Sequence, residues 1–233
     1  FVTAAHSINP LLHTHPQYKA FLELPAVSTL VSTDYLLVVN AGVPANNLKE
    51  FIALAKSRPN QLNGAVSNTG GIQHLALEMF NVLADVRLQA VPYKGGGPGM
   101  IDLIGGQVQL AFNNSITVMP HIKAGKIRAL GIGGEKRLSV LPDVPTFGEQ
   151  GLQGYSVRNW FGLVAPAKTP KTVIDKLAAE IEKIQNSQEF KSRLAPQGVD
   201  PFINGPQAFE AFIKVEMAKY AKIIKAANIK IES

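Results

Sequence analysis

The chain has 233 residues, of which 46% are hydrophobic and 17% are charged, so it can form one large globular domain or two small ones. The absence of cysteine excludes disulfide bonds and thiolate chemistry, and no apolar run reaches the ~20 residues that a membrane-spanning helix needs. The net charge is +6, but the lysines and arginines are scattered singly, so we expect no nucleic-acid partner.

The first sixty residues predict two strands and one helix. Residues 1–4 and residues 35–39 are apolar and typical of strands, and the segment between them opens with a loop, His6-Ser-Ile-Asn-Pro10. A helix is predicted to begin after Pro44 and to end before Pro59.

Residues 62–74 are the most informative stretch. Residues 62–66 predict a strand, the next five residues form a glycine-rich turn, and helical periodicity begins at Ile72. A helix N-terminus offers unpaired N–H groups and the positive end of the helix dipole, so it can bind an anion. An ordinary turn between a strand and a helix is the alternative interpretation.

Two further turns follow the same plan. Lys94-Gly-Gly-Gly-Pro-Gly99 follows a predicted strand at residues 88–93, and Asn113-Asn-Ser115 follows another at residues 108–112. Strands that alternate with helices at this spacing predict a mainly parallel sheet, which binds ligands beyond the carboxyl ends of its strands. All three turns fall at that edge, which indicates a ligand site more specifically than any one turn does.

The C-terminal part continues the alternation of strands and helices. Strands are predicted at residues 127–132 and 160–165, and the last helix opens at Pro206. Trp160 and Phe161 have two open interpretations, which are stacking on a ligand and packing in the core at a domain boundary.

The chain carries none of the common catalytic motifs. The nucleophile elbow, the P-loop, the zinc-protease helix and the dinucleotide fingerprint are all missing. Ser67 and His74 could still act in a hydrolase, although the place of His74 in the first turn of the predicted helix favours a positioning hydrogen bond over general base catalysis. His13 and His15 could ligate a metal, but no third ligand accompanies them. We therefore expect no enzyme, no metal and no cofactor.

A series of motifs in order matches one family. Val91-Pro-Tyr-Lys-Gly95 and Leu141-Pro-Asp-Val-Pro-Thr146 are the most specific, and Gln73-His-Leu75, Ala124-Gly-Lys126 and Trp160-Phe-Gly162 accompany them. Together they resemble the TctC-like, or Bug-type, extracytoplasmic solute receptors of tripartite tricarboxylate transport systems. The resemblance covers essentially the whole chain.

This resemblance implies an α/β fold of the two-domain periplasmic-binding-protein type (type II), with mainly parallel sheets, helices on both faces and a ligand cleft between the domains. Domain 2 would comprise residues 41–161. Domain 1 would comprise residues 1–40 and 162–233 and would be incomplete, because the family usually begins with further βα units.

The resemblance also implies a function. The chain would be a monomeric, periplasmic, non-enzymatic receptor that captures a small carboxylate and delivers it to the membrane components of the transporter. A di- or tricarboxylate, an amino acid or an aromatic acid would suit such a site. A cytosolic ligand-sensing domain of a transcription regulator, which can share a similar fold, is the alternative.

Members of the family bind carboxylate through backbone N–H groups, small hydroxyls and ordered waters. The corresponding residues of this sequence form four segments, and the aromatic pair is added to them: Ala5, His6, Ser7 and Ile8; Ser67, Asn68, Thr69, Gly70, Gly71 and His74; Tyr93, Lys94, Gly95 and Gly96; Asn113 and Asn114; Trp160 and Phe161.

Two departures from the family pattern fall in or directly beside these segments. Val66 and Gly71 replace two residues that usually carry hydroxyls, so we expect Ser67 and Thr69 to supply hydroxyls from shifted positions. Asn113 stands where the family often has aspartate. Removing a carboxylate from an anion pocket removes like-charge repulsion, so we expect Asn113 to favour a more anionic ligand.

Overall fold

The computed structural model describes residues 1–13 and 23–229. The chain divides into two compact units, of which the first is Phe1–Thr33 with Asn159–Ser233 and the second is Asp34–Arg158. The division implied by the resemblance puts these boundaries at residues 40/41 and 161/162. Both observed boundaries fall inside β-strands, so the chain passes from one unit to the other in extended conformation.

The second unit contains a mixed β-sheet. Among the described residues its strands lie in the order β6 (Ile127–Ile132), β2 (Ala26–Asn40), β5 (Leu110–Asn114), β3 (Asn63–Val66) and β4 (Gln89–Pro92). Strand β3 pairs in parallel with β4 and with β5, whereas β2 pairs antiparallel with β5 and β6. The prediction of mainly parallel sheets is therefore only partly right, because β2 enters this unit in the direction opposite to β5.

Helices cover both faces of this sheet. Successive residues of a strand point to opposite faces, and β5 shows both environments. Phe112 packs against Phe80, with ring centroids 5.4 Å apart, while Ala111 belongs to an aliphatic cluster with Leu103 and Val118. The helices of the unit are α2 (Leu48–Ser57), α3 (Ile72–Ala84), α4 (Gly96–Ile104) and α5 (Ser115–Lys123).

Local sequence explains where two of these helices lie. Helix α2 opens with a capping box, in which the Glu50 N–H donates to Asn47 Oδ1 (2.9 Å) and the Glu50 carboxylate accepts from the Asn46 N–H (2.7 Å). Helix α3 approaches β3 closely because Gly64 has no side chain. A Cβ atom there would lie 2.5 Å from Leu77 Cδ1 of α3.

The first unit has its own strands and core. Strand β7 (Arg158–Val164) lies between β1 (Val2–Thr3) and the first half of β2, and β8 (Asp200–Pro201) pairs with β2. Its described α-helices are α1 (Ala5–Leu12), α6 (Lys171–Asn186), α7 (Gln188–Leu194) and α8 (Pro206–Ala226). No helix in the described part of the chain is both long and apolar enough to cross a membrane.

The loop predicted at residues 6–10 is wrong, because these residues belong to α1. Helix α1 packs against α8 and buries Ser7 and Ile8. This burial outweighs the cost of Pro10, which lies inside the helix and removes one backbone donor from it.

Candidate anion-binding site

Three helices of the second unit begin at the same edge of its sheet. Strand β3 leads into α3, β4 leads into α4, and β5 leads directly into α5. Because β4 and β5 both pair in parallel with β3, the carboxyl ends of the three strands lie side by side. The structure therefore brings together residues 67–71, 93–96 and 113–114, which we call the carboxyl edge. The turn predicted at residues 94–99 is shorter than expected because α4 begins at Gly96, and the turn predicted at residues 113–115 is absent because β5 ends at Asn114 and α5 begins at Ser115.

The first turn of the carboxyl edge is bonded to the helix that follows it. The Ser67 N–H donates to Gln73 Oε1 (2.7 Å), and the Gly70 N–H donates to His74 Nδ1 (2.9 Å). The N–H groups of residues 72–74 open α3 and find no acceptor among the described residues. They are therefore available to a ligand.

The side chains of this turn are bonded to one another. The Ser67 hydroxyl donates to Asn68 Oδ1 (3.1 Å), and Asn68 Nδ2 donates to the Thr69 carbonyl (3.2 Å). A Cβ atom at Gly71 would lie 2.3 Å from Asn68 Oδ1, so the Asn68 carboxamide takes the space that a larger residue would need. Ser67 and His74 make no mutual hydrogen bond among those described, which gives a Ser–His hydrolase no support here.

The second turn leaves open space beside its backbone. Gly95 has φ of 100°, which favours glycine, and its N–H donates to the Ser67 carbonyl (3.1 Å), so this turn is bonded to the first. A Cβ atom built on Gly96 or Gly97 meets no atom within 4 Å. Lys94 is exposed, and no partner for its ammonium group occurs among the described residues.

The phenol of Tyr93 is bonded to α4. Its hydroxyl donates to Asp102 Oδ2 (2.7 Å). Partial burial, this hydrogen bond and the negative charge of Asp102 raise the pKa of Tyr93 to about 12. The Tyr93 N–H donates to the Val66 carbonyl (2.8 Å), so its backbone ties the second turn to the end of β3.

The third segment of the carboxyl edge is the end of β5, and its two asparagines have different roles. Asn114 is the N-cap of α5, and its Oδ1 accepts from the Thr117 N–H (3.0 Å). Asn113 is only 4% exposed, and its Oδ1 accepts from the Asn114 N–H (2.9 Å). Because its oxygen is engaged, Asn113 presents the NH₂ group, for which the described residues supply no acceptor.

A small recess lies between the three segments of the carboxyl edge. Its cavity volume is about 10 Å³, and its polar lining comes from Ser67, Gln73 and Asn113, with Gly95 and Gly96 beside them. This volume suits about one water molecule or one carboxylate oxygen, not a whole ligand.

The other predicted site residues lie in the first unit. Ser7 and Ile8 are buried in α1, and the Ser7 hydroxyl donates to the Ala4 carbonyl (2.8 Å). Ala5 and His6 also lie on α1, and burial lowers the pKa of His6. The assignment of these four residues to the ligand stays a prediction.

The aromatic pair on β7 has two different environments. Trp160 is fully buried, with its ring edge-on to Phe209 (5.5 Å between centroids) and Phe212 (5.4 Å), which is the core-packing arrangement. Phe161 is partly buried and pairs with Thr3 in the sheet. No ligand contact of either residue is tested by this geometry.

No metal centre occurs within the described ranges, where no group of three His, Cys, Asp or Glu residues could hold an ion. His15, one member of the histidine pair considered from the sequence, lies outside the described residues.

Sequence reasoning missed two residues that shape the carboxyl edge. Gln73 accepts from the Ser67 backbone, and Asp102 holds the Tyr93 phenol. Gln73 stands in the motif Gln73-His-Leu75, but a motif does not show that a side chain bonds back to the preceding turn.

Comparison with known proteins gives a family and a fold. The model of the "Tripartite tricarboxylate transporter family receptor" (TctC) matches residues 1–229. The protein BugT of Bordetella pertussis is 31% identical over 215 residues, which are 92% of this chain and 66% of BugT. Two other curated relatives are covered to 64% and 61% of their length, so the chain spans about two thirds of such proteins.

Three solved structures are similar over nearly the whole chain. A protein of R. palustris with adipate has a TM-score of 0.89 at 30% identity, and the match covers 98% of this chain and 77% of that protein's chain. The periplasmic binding protein BugD has a TM-score of 0.85 at 29% identity, with coverage of 99% and 78%. MatC from Rhodopseudomonas palustris with bound malate has a TM-score of 0.78 at 27% identity, with coverage of 95% and 75%.

These matches confirm the resemblance read from the motifs and the α/β fold of periplasmic binding proteins. The chain belongs to the TctC family of tripartite tricarboxylate transporter receptors, which are solute-binding proteins and not enzymes.

Proposed function

We propose that the chain is a periplasmic receptor that binds a small dicarboxylate at the carboxyl edge and delivers it to the membrane components of a tripartite tricarboxylate transporter. One observation carries the proposal: three helix N-termini open side by side around a recess, and none of the three segments of the carboxyl edge contains an acidic residue. Each helix N-terminus carries roughly half a positive charge, so the edge favours anions.

Two side chains add to this preference. Asn113 lines the recess, and its NH₂ group can donate to a carboxylate oxygen, while Lys94 supplies a positive charge on a long, flexible side chain. In the proposed mode one carboxylate lies over the recess and Lys94 neutralises the other. Relatives solved with adipate and with malate support the choice of a dicarboxylate.

Calorimetry with a graded set of ligands tests the proposal. Adipate, malate, citrate, aspartate and benzoate are titrated into the chain, and adipamide, the uncharged diamide of adipate, is the matched control. We expect at least one dicarboxylate to bind and adipamide not to bind. Binding of adipamide as tightly as adipate would contradict an anion site, and no heat with any of the acids would contradict the receptor function.

A thermal-shift measurement gives an independent readout. A ligand at about 100 times its dissociation constant stabilises the folded state by about 2.7 kcal/mol, which corresponds to a rise in melting temperature of about 5–10 °C for a chain of this size. The same ionic strength of sodium chloride controls for screening. A rise of equal size with chloride would show a salt effect and not specific binding.

The proposed location and assembly are also testable. Cell fractionation should place the protein in the periplasmic extract, whereas a cytosolic sensing domain would remain with the cytoplasm. Size-exclusion chromatography with light scattering should give a mass near the 25.0 kDa of one chain, with and without dicarboxylate. A mass that doubles with ligand would refute a monomeric receptor.

A further inference from the structure

The first turn of the carboxyl edge is tied at two points to the helix that follows it. Gln73 Oε1 accepts from the Ser67 N–H at 2.7 Å, and His74 Nδ1 accepts from the Gly70 N–H at 2.9 Å. The two acceptors are consecutive residues in the first turn of α3. The backbone is thus fixed at the first and at the fourth residue of a five-residue turn.

These two bonds decide which N–H groups remain for a ligand. The amides of Ser67 and Gly70 are occupied, whereas those of residues 68–69 and 72–74 find no acceptor among the described residues. Gly70 has φ of 74°, and glycine moves easily between this region and others. Without its bond to His74, the peptide at Gly70 could rotate, and the free amides on either side of it would change direction.

We propose that Gln73 and His74 are positioning residues of the carboxylate site, and that His74 makes its affinity depend on pH. This inference rests on the proposed function. In the proposed arrangement Gln73 Oε1 and His74 Nδ1 hold the turn and do not contact the carboxylate. They keep the turn in the one shape that directs its free amides to the ligand.

The His74 bond requires a neutral imidazole with its proton on Nε2. That atom lies 3.6 Å from Glu78 Oε1, on the next turn of α3. The strands that pack against α3, β3 and β5, contain no ionisable side chain, and neither does the turn itself. The phenol of Tyr155 reaches the helix at the Ala76 carbonyl. Helix α2 also packs against α3, through Phe51 and Phe80, but its Lys56 pairs with Asp85 at the far end of α3 and its Glu50 belongs to the α2 cap. Among these groups, Glu78 is the one in contact with His74.

Protonation at Nδ1 converts the acceptor into a donor and releases the Gly70 N–H. The same proton also brings a positive charge closer to the anion, which would strengthen binding. The two effects have opposite signs, so the direction of the pH dependence shows which role His74 has. The positioning role predicts weaker binding in acid.

Three substitutions at one position separate these roles. In His74→Asn the amide oxygen lies near the place of Nδ1 and can accept from Gly70, while the side chain cannot gain charge. In His74→Gln the oxygen reaches the place of Nε2 instead, and in His74→Ala there is no acceptor. The matched control is His121→Asn, which removes a histidine from the last turn of α5, at the end of that helix opposite to the carboxyl edge.

The first measurement uses no ligand. Amide hydrogen exchange of Gly70, followed by NMR, should be slow in the natural chain and in His74→Asn and faster in His74→Ala and His74→Gln. The Ser67 amide should respond in the same way to Gln73→Ala. Unchanged exchange of Gly70 in folded His74→Ala would overturn the inference.

The second measurement is calorimetry with adipate and with malate, at about pH 8 and at about pH 5.5, on either side of the range in which histidine changes charge. At the higher pH, His74→Ala and His74→Gln should raise Kd about 3- to 10-fold, the effect of one hydrogen bond, while His74→Asn stays close to the natural chain. At the lower pH, the natural chain should weaken toward His74→Ala, and His74→Asn should not.

The outcomes distinguish this inference from the proposed function. If the natural chain binds none of the five acids of the graded set, the proposed function fails and the inference fails with it. If the natural chain binds but His74→Ala binds as tightly, or if acid strengthens binding by the natural chain, only the inference is overturned.

Discussion

Asn113→Asp is the substitution that tests the anion site most directly. Asn113 is almost completely buried, and its Oδ1 accepts from the Asn114 N–H. A carboxylate can keep that bond with one oxygen. Its other oxygen then replaces the NH₂ group at the recess, so the substitution exchanges a donor for a negative charge at the same place.

The size of the effect follows from two terms. Losing a hydrogen bond to a charged group costs about 1.5–3 kcal/mol. Two like charges about 4 Å apart repel by about 4 kcal/mol at an effective dielectric constant of about 20. Since solvent and salt reduce the second term, we expect Kd for a dicarboxylate to rise about a hundredfold or more.

The second charge of the ligand makes the prediction sharper. A far carboxylate about 10 Å from the new charge adds about 0.4–1.7 kcal/mol of repulsion, depending on whether water or protein lies between them. A dicarboxylate such as adipate should therefore lose about 2- to 15-fold more affinity than its monoacid counterpart, hexanoate.

The assay is calorimetry of both acids with the natural chain and with Asn113→Asp. The matched control is Gln61→Glu, which makes the same change from amide to carboxylate at an exposed position before β3, about 20 Å along the strand from the carboxyl edge. At that distance salt screens the charge, and we expect no change in affinity. Equal losses for adipate and hexanoate, or an equal loss in the control, would refute the reasoning.

Three further predictions concern the same unit. Gly96→Ala should leave the melting temperature unchanged or raise it, because the added methyl group meets no protein atom, but it should weaken dicarboxylate binding measured by calorimetry. The control is Gly205→Ala in the first unit, where the added methyl group also meets no atom and binding should not weaken. Asn47→Ala should lower the free energy of unfolding in urea by about 1 kcal/mol, through loss of the α2 cap, without changing affinity. Tyr93→Phe should have a lower free energy of unfolding than the natural chain below pH 10, and this difference should shrink as pH rises toward 12. The reason is that burial and Asp102 raise the pKa of this phenol in the folded state. A constant difference in free energy of unfolding between pH 8 and pH 12 would contradict this.

Much of the carboxyl edge could be predicted because its signals are local. A short apolar strand, a glycine-rich or asparagine-rich segment and helical periodicity follow one another within about a dozen residues, first around Ser67–Gly71 and then twice more along the chain. Parallel pairing of β3 with β4 and β5 then brings the turns together without any further information.

The parts that could not be predicted depend on distant partners. Helix α1 looks like a loop at Asn9 and Pro10, and it is helical because α8 covers it. The direction of β2 against β5 is equally invisible in its own apolar sequence, since strand periodicity does not encode pairing direction. From the sequence, Trp160 could either stack on a ligand or pack in the core. Its edge-on contacts with Phe209 and Phe212, which are distant along the chain, show the core packing.

The amides that open α3 and α4 belong to the main chain, and this has a consequence for divergence within such receptors. Substitution changes side chains and leaves the peptide group in place, so a turn can accept many replacements and still attract a negative charge. Replacements instead change the space beside the peptide groups. The Asn68 side chain fills that space at Gly71, whereas the space at Gly96 is open. Charge preference should thus drift slowly between relatives, while the length and shape of the accepted acid change quickly.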